Sequence, residues 1–136
     1  MTTPQITAIL DSSALVRYAR LDGLAVGELL GEIEAEDGAS MLGIPVSSFL
    51  DAYVKLPAED RSRLVELGTS PDRATVILPL IEADALEIAE LLGNHDQQTA
   101  QCITSARKLL AQVATYEGRR FERSMDEDLI LDLIEP

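Results

Sequence analysis

Five short apolar runs separated by helical segments predict an α/β fold, a three-layer α/β/α sandwich around a mostly parallel sheet of about five strands. Two observations carry that expectation. The runs are short and several are β-branched, which suits buried strands. The stretches between them place apolar residues at helical spacing. A length of 136 residues fits one domain, 1–136, with a single core. Hydrophobic residues at 46% and charged residues at 26% exclude a disordered chain.

Ile6 to Leu10 is closed by Asp11-Ser12-Ser13 and reads as the first buried strand. Ser12 or Ser13 can cap a short helix running to about Ala19. A second helix runs from about Leu24 to Ala35, with Leu24, Leu29, Leu30 and Ile33 on its apolar side. Glu28, Glu32, Glu34 and Glu36 lie on its other side, and Asp37-Gly38 ends it.

Met41 to Val46 is the next strand, and Ser47 or Ser48 starts a helix holding Phe49, Leu50, Tyr53 and Val54. Leu56-Pro57 breaks it, and another helix spans about Ala58 to Leu67, ended by Gly68. Ala74 to Leu78 is a strand stopped by Pro79. Helices over about Glu82 to Leu92 and Asp96 to Leu110 follow, then strands at Gln112 to Thr115 and Leu129 to Ile134.

No apolar stretch approaches the roughly 20 residues of a membrane span. Met1-Thr2-Thr3-Pro4 lacks the basic start and long apolar run of a signal peptide. A lone cysteine, Cys102, permits no internal disulfide, so a reducing, cytoplasmic setting without membrane partners is expected. The formal net charge of −13 repels nucleic acid unless bases are concentrated locally or metal ions intervene. Such a surface suits a basic protein partner.

In parallel α/β sheets the functional crevice lies beyond the C-terminal ends of the strands. Asp11 stands there, at the end of the first strand, with Ser13 two residues on. Asp51 lies in the first half of the helix after the second strand, Asp96 begins the helix before the fourth, and Glu117 follows the fourth. Capping or charge at a helix start is the plainer account of Asp11, Asp51 and Asp96, and a solvated turn that of Glu117. Four carboxylates at one sheet edge are costly to crowd without cations. An all-oxygen set of this kind suits Mg²⁺ or Mn²⁺, which activates water against a phosphodiester.

The Ile-Leu-Asp-Ser-Ser-Ala-Leu opening resembles the first acidic motif of PIN domains, and the order of elements is similar to that family over nearly the whole chain. Ala-Thr-Tyr-Glu-Gly-Arg-Arg-Phe resembles the family's late strand followed by Thr-x-Asp and an aromatic residue. The resemblance implies a PIN-like, Mg²⁺- or Mn²⁺-dependent endoribonuclease acting on RNA. It also implies a possible role as toxin of a VapBC-type toxin–antitoxin pair, with a basic antitoxin-like partner and a homodimer. By motif, Asp11 is the central metal ligand with Ser13 its helper. Asp51, Asp96 and Glu117 complete the set, and Thr115 supports the last of them. Three positions depart from the family pattern. Asp51 is one methylene shorter than the usual glutamate, Glu117 is longer than the usual aspartate, and the family's helix length lands near Thr99 rather than Asp96. A PIN-like domain with weakened or lost catalysis, working in binding or regulation, is the alternative.

His95 is the only histidine and belongs to a Gly-Asn-His turn rather than to a catalytic base. Cys102 sits inside an amphipathic helix as a small apolar residue. Arg119, Arg120 and Arg123 form the densest basic patch, placed either to hold RNA phosphates or to balance Glu122, Asp126, Glu127 and Asp128. No phosphate-binding glycine loop is present, and no aromatic platform for stacking bases.

Overall fold

The computed structural model describes residues 4–36 and 38–135. Strand β1 (Gln5–Leu10) leads to α1 (Ser12–Ala19) and α2 (Ala25–Glu34), and β2 (Ser40–Pro45) to α3 (Val46–Lys55) and α4 (Ala58–Thr69). β3 (Thr75–Leu78) is followed by a 3₁₀ turn, then α5 (Ala85–Leu91) and α6 (Gln97–Leu109). β4 (Gln112–Thr115) and β5 (Ile130–Asp132) complete the chain. The sheet is parallel throughout, in the order β3-β2-β1-β4-β5. The fold is therefore the α/β sandwich expected. No helix among the described residues is long and apolar enough to cross a membrane.

Alternation along the strands sorts the core into two layers. Ala8, Leu10, Leu42, Ile44 and Ala114 join Leu15 of α1, Leu30 of α2, Ala52 of α3 and Leu64 of α4 on one face. Ile9 and Val113 join Ile103 and Ala106 of α6, with Phe121 and Met125, on the other. Gly43 lies between them on β2, where an added Cβ would stand 2.9 Å from the Leu78 side chain and 3.0 Å from those of Ile6 and Ile9. The chain winds outward from β1 through β2 to β3, then crosses back to β4 on β1's other side. This reversal opens a crevice at the C-terminal ends of β1 and β4.

Several local expectations need correction. Asp11, not Ser12 or Ser13, caps α1, and it does so by accepting from the Ala14 N–H. α2 begins after an exposed Leu24 and buries Val26 beside the expected Leu30 and Ile33. It stops at Glu34, before Gly38; Asp37, half of the expected stop, lies outside the described residues. α3 turns Leu50 and Val54 to solvent and buries Ser47, Ser48 and Ala52. The reason is polar: α6 presents Gln98 and Gln101 to the start of α3, where only small hydroxyl residues fit against them. α4 passes through Gly68 to Thr69, because that glycine makes room for the Phe49 ring, 3.1 Å from where its Cβ would be. The helix expected from Glu82 starts as a 3₁₀ turn and becomes α-helical only at Ala85.

α6 ends on Leu110 in the left-handed region, φ 55°, with the side chain almost wholly exposed. Leucine adopts that conformation at a cost that glycine avoids. Leu110→Gly is expected to stabilise the protein by about 1 kcal/mol, read as a raised urea midpoint.

Candidate functional site

Asp11 follows the last residue of β1 and is completely buried. Its Oδ1 accepts from the Ser13 hydroxyl at 2.7 Å and the Ala14 N–H at 3.0 Å. Its Oδ2 accepts from the Thr115 hydroxyl at 2.6 Å. Thr115 ends β4, directly beside β1, so the sheet register itself sets this contact. Burial pushes the Asp11 carboxyl above its ordinary value, and the nearby Glu117 charge adds to the rise. The three hydrogen bonds oppose it without cancelling it.

The other three acids stand outside that buried knot. Asp51 accepts from the Ser12 hydroxyl at 2.5 Å and pairs with Lys55 at 2.8 Å, one helical turn away. Asp96 caps α6 by accepting from the Thr99 N–H at 2.9 Å. Its partial burial favours the neutral form, but the hydrogen bonds from Thr99 and the charges of Arg120 and Lys55 hold its carboxyl below the usual range. Glu117 pairs with Arg120 Nε at 2.6 Å, and Arg120 Nη1 reaches Asp96 at 3.1 Å. The structure therefore joins Asp11 to Ser13 and Thr115, Asp51 to Lys55, and Asp96 to Glu117 through one arginine. Thr99, where the family spacing points, is buried and accepts from Gln98 Nε2 at 2.9 Å.

These elements border a cleft of about 350 Å³. Ser12, Ser13 and Gln98 line its buried side, and Arg17, Lys55 and Arg120 its more exposed side, with Tyr116 and Glu117. Gln98 ties the floor together: its Oε1 accepts from the Ser12 N–H at 3.1 Å and the Ser48 hydroxyl at 3.0 Å. One side chain of α6 thereby holds the starts of α1 and α3.

The divalent ion that the resemblance implies would need carboxylate oxygens open to it in this arrangement. Both Asp11 oxygens are taken by protein donors and have no exposure. The remaining acids each face a resident cation. Among the described residues no three His, Cys, Asp or Glu side chains converge on a point where one ion would sit. In this arrangement the donors do not fit a bound Mg²⁺ or Mn²⁺.

Sequence reasoning did not find Ser12, Arg17, Lys55, Gln98 and Tyr116. Only the Asp51–Lys55 spacing carried a local signal, since residues four apart on a helix are neighbours. Arg120 lay in the basic patch already noted, and its neighbour Arg119 is exposed. His95 meets Ser124 Oγ at 2.7 Å, in keeping with a turn residue. Cys102 is fully buried beside Ser48, and burial drives its thiol well above the ordinary value, the setting of a small core residue rather than of an activated thiol. No protein-family model matches the chain, and no curated protein matches it.

Proposed function

We propose that this chain is a PIN-like domain that binds RNA phosphates in the cleft beside β1 and β4, with metal-dependent hydrolysis weakened or lost. The observation that supports this reading is the pairing of Asp51, Asp96 and Glu117 with Lys55 and Arg120. An ammonium carries three donors and a guanidinium five, so neither cation is exhausted by its carboxylates. The remaining donors, with those of Arg17, suit phosphate oxygens. The charge of −13 makes such binding selective for a strand that reaches these cations, and sensitive to salt.

A second reading, the Mg²⁺- or Mn²⁺-dependent endoribonuclease, draws support from the desolvated Asp11 carboxylate near Glu117, a crowding that a divalent cation relieves. With it would come the toxin role, the basic protein partner and the paired assembly that the resemblance implies.

One set of measurements separates the two. Calorimetric Mn²⁺ titration of the protein and of Asp11→Asn is expected to give no saturable heat in either. Binding of a fluorescent single-stranded RNA is expected to weaken in Lys55→Met and Arg120→Met, with the salt slope falling by about one for each cation removed. Saturable Mn²⁺ binding abolished by Asp11→Asn, together with RNA cleavage, would replace the binding reading with the nuclease. RNA affinity unchanged in both cation variants would overturn phosphate binding in this cleft.

A further inference from the structure

We infer that Glu135 is a positioning residue, a carboxylate strap that crosses from the segment after β5 to hold the Tyr116 wall of the cleft in place. α2 begins at Leu24 without a capping side chain of its own, so its first amides need an acceptor from elsewhere. Glu135 supplies it: Oε2 accepts from the Leu24 N–H at 2.6 Å and Oε1 from the Ala25 N–H at 3.5 Å. The negative charge at the positive end of a helix is favourable. Oε1 also accepts from the Tyr116 hydroxyl.

Gly23 is shaped for this carboxylate. Its φ of +137° is a conformation glycine adopts freely, and a Cβ there would collide with the Glu135 carboxyl group. The strap is also registered on the sheet, because the Leu133 N–H donates to the Thr115 carbonyl at 2.9 Å.

Tyr116 transmits the contact to the cleft. The Arg17 guanidinium lies 4.1 Å from its ring centroid. Its backbone N–H donates to Ser13 Oγ at 3.0 Å, and Ser13 donates on to Asp11. Thus a residue outside the cleft sets the position of one cation and one hydroxyl inside it. The Glu135 charge also helps to hold the Tyr116 phenol at about 12, after burial and the hydrogen bond, and Tyr116 in turn lowers the Glu135 carboxyl.

The inference stands on the strap geometry, and its consequence for RNA rests on the binding reading above. The test compares the full chain with Glu135→Gln and Tyr116→Phe by ultraviolet pH titration and amide exchange. The wild-type minus Tyr116→Phe difference isolates Tyr116 from the other two tyrosines. In Glu135→Gln its ionisation midpoint is expected to fall from about 12 toward the ordinary tyrosine value of about 10, and the Leu24 amide to exchange faster. An unchanged midpoint and unchanged Leu24 exchange would overturn the strap. If both shift and single-stranded RNA binds less tightly to Glu135→Gln, the strap positions the cleft. If both shift and RNA affinity stays at the wild-type value, positioning is overturned and the strap is only a helix cap. If both shift while the wild type binds no RNA, the binding reading fails and the strap stands.

Discussion

Asp11→Ala is expected to destabilise the protein by about 3 kcal/mol, and Asp11→Asn by about 1 kcal/mol. Alanine removes the acceptor that the Ser13 and Thr115 hydroxyls and the Ala14 N–H share, and the two hydroxyls, 3.2 Å apart, can satisfy only one of the three donors between themselves. It also removes the cap of α1. Orphaned buried donors dominate this cost, because the carboxylate itself is held in an unfavourable, desolvated form. Asparagine keeps one carbonyl for Ser13 and Ala14, and the Thr115 hydroxyl can turn to accept from its amide. Urea unfolding of the three proteins checks the order.

The same residue leaves a mark on pH dependence. Its folded value lies above the unfolded 3.8, so the folded state holds this proton more tightly. The resulting stability is fully present below 3.8 and is lost as pH rises through the folded value. The stability advantage of wild type over Asp11→Asn is therefore expected to shrink with rising pH across that window. An advantage that grows instead would mean that Asp11 is stabilised as an anion.

Phe121→Ala is expected to cost about 3–5 kcal/mol, the usual range for emptying a fully buried phenylalanine site. Phe121 is completely enclosed beside Ile103, Val113 and Met125. It is also the pin of the β4–β5 connection, which lacks an α-helix and relies on 3₁₀ turns at Gly118–Arg120 and Glu127–Leu129. Its N–H donates to Gly118 and its carbonyl accepts from Ser124 and Met125. The first of those turns carries Arg120, so the loss of the ring is felt at the ion pairs with Asp96 and Glu117. Phe121→Leu, which keeps most of the volume, is expected to cost about 1 kcal/mol. Guanidinium unfolding at constant slope distinguishes these values from a change in the unfolded chain.

The sheet was legible because strands buried on both faces are runs such as Ile9-Leu10 and Val113-Ala114, whose apolar character needs no partner to recognise. The end of β1 likewise announced Asp11, whereas Thr115 came only with the family resemblance, which set it beside Glu117 rather than on the Asp11 carboxylate. The buried face of α3 was not legible, because its apolar Leu50 and Val54 face solvent while two glutamines of α6 hold its first turn. Hydropathy describes a side chain, not what α6 offers it. The pairing of the acids was hidden for a different reason. Arg120 stands 24 residues from Asp96 in sequence, and only the fold brings them to 3.1 Å. Exposed pairs of this kind add little stability and leave no compositional trace.

Arg120 also makes the cleft unequal in what it tolerates. Two carboxylates depend on this one guanidinium, whereas the guanidinium depends on neither alone. If Asp96 or Glu117 drifts to a neutral residue, a balanced pair is left behind. If Arg120 drifts, two like charges are left facing the same space. Among descendants of this chain Glu117 is free to change first, Asp96 only to another side chain that caps α6, and the arginine only after them.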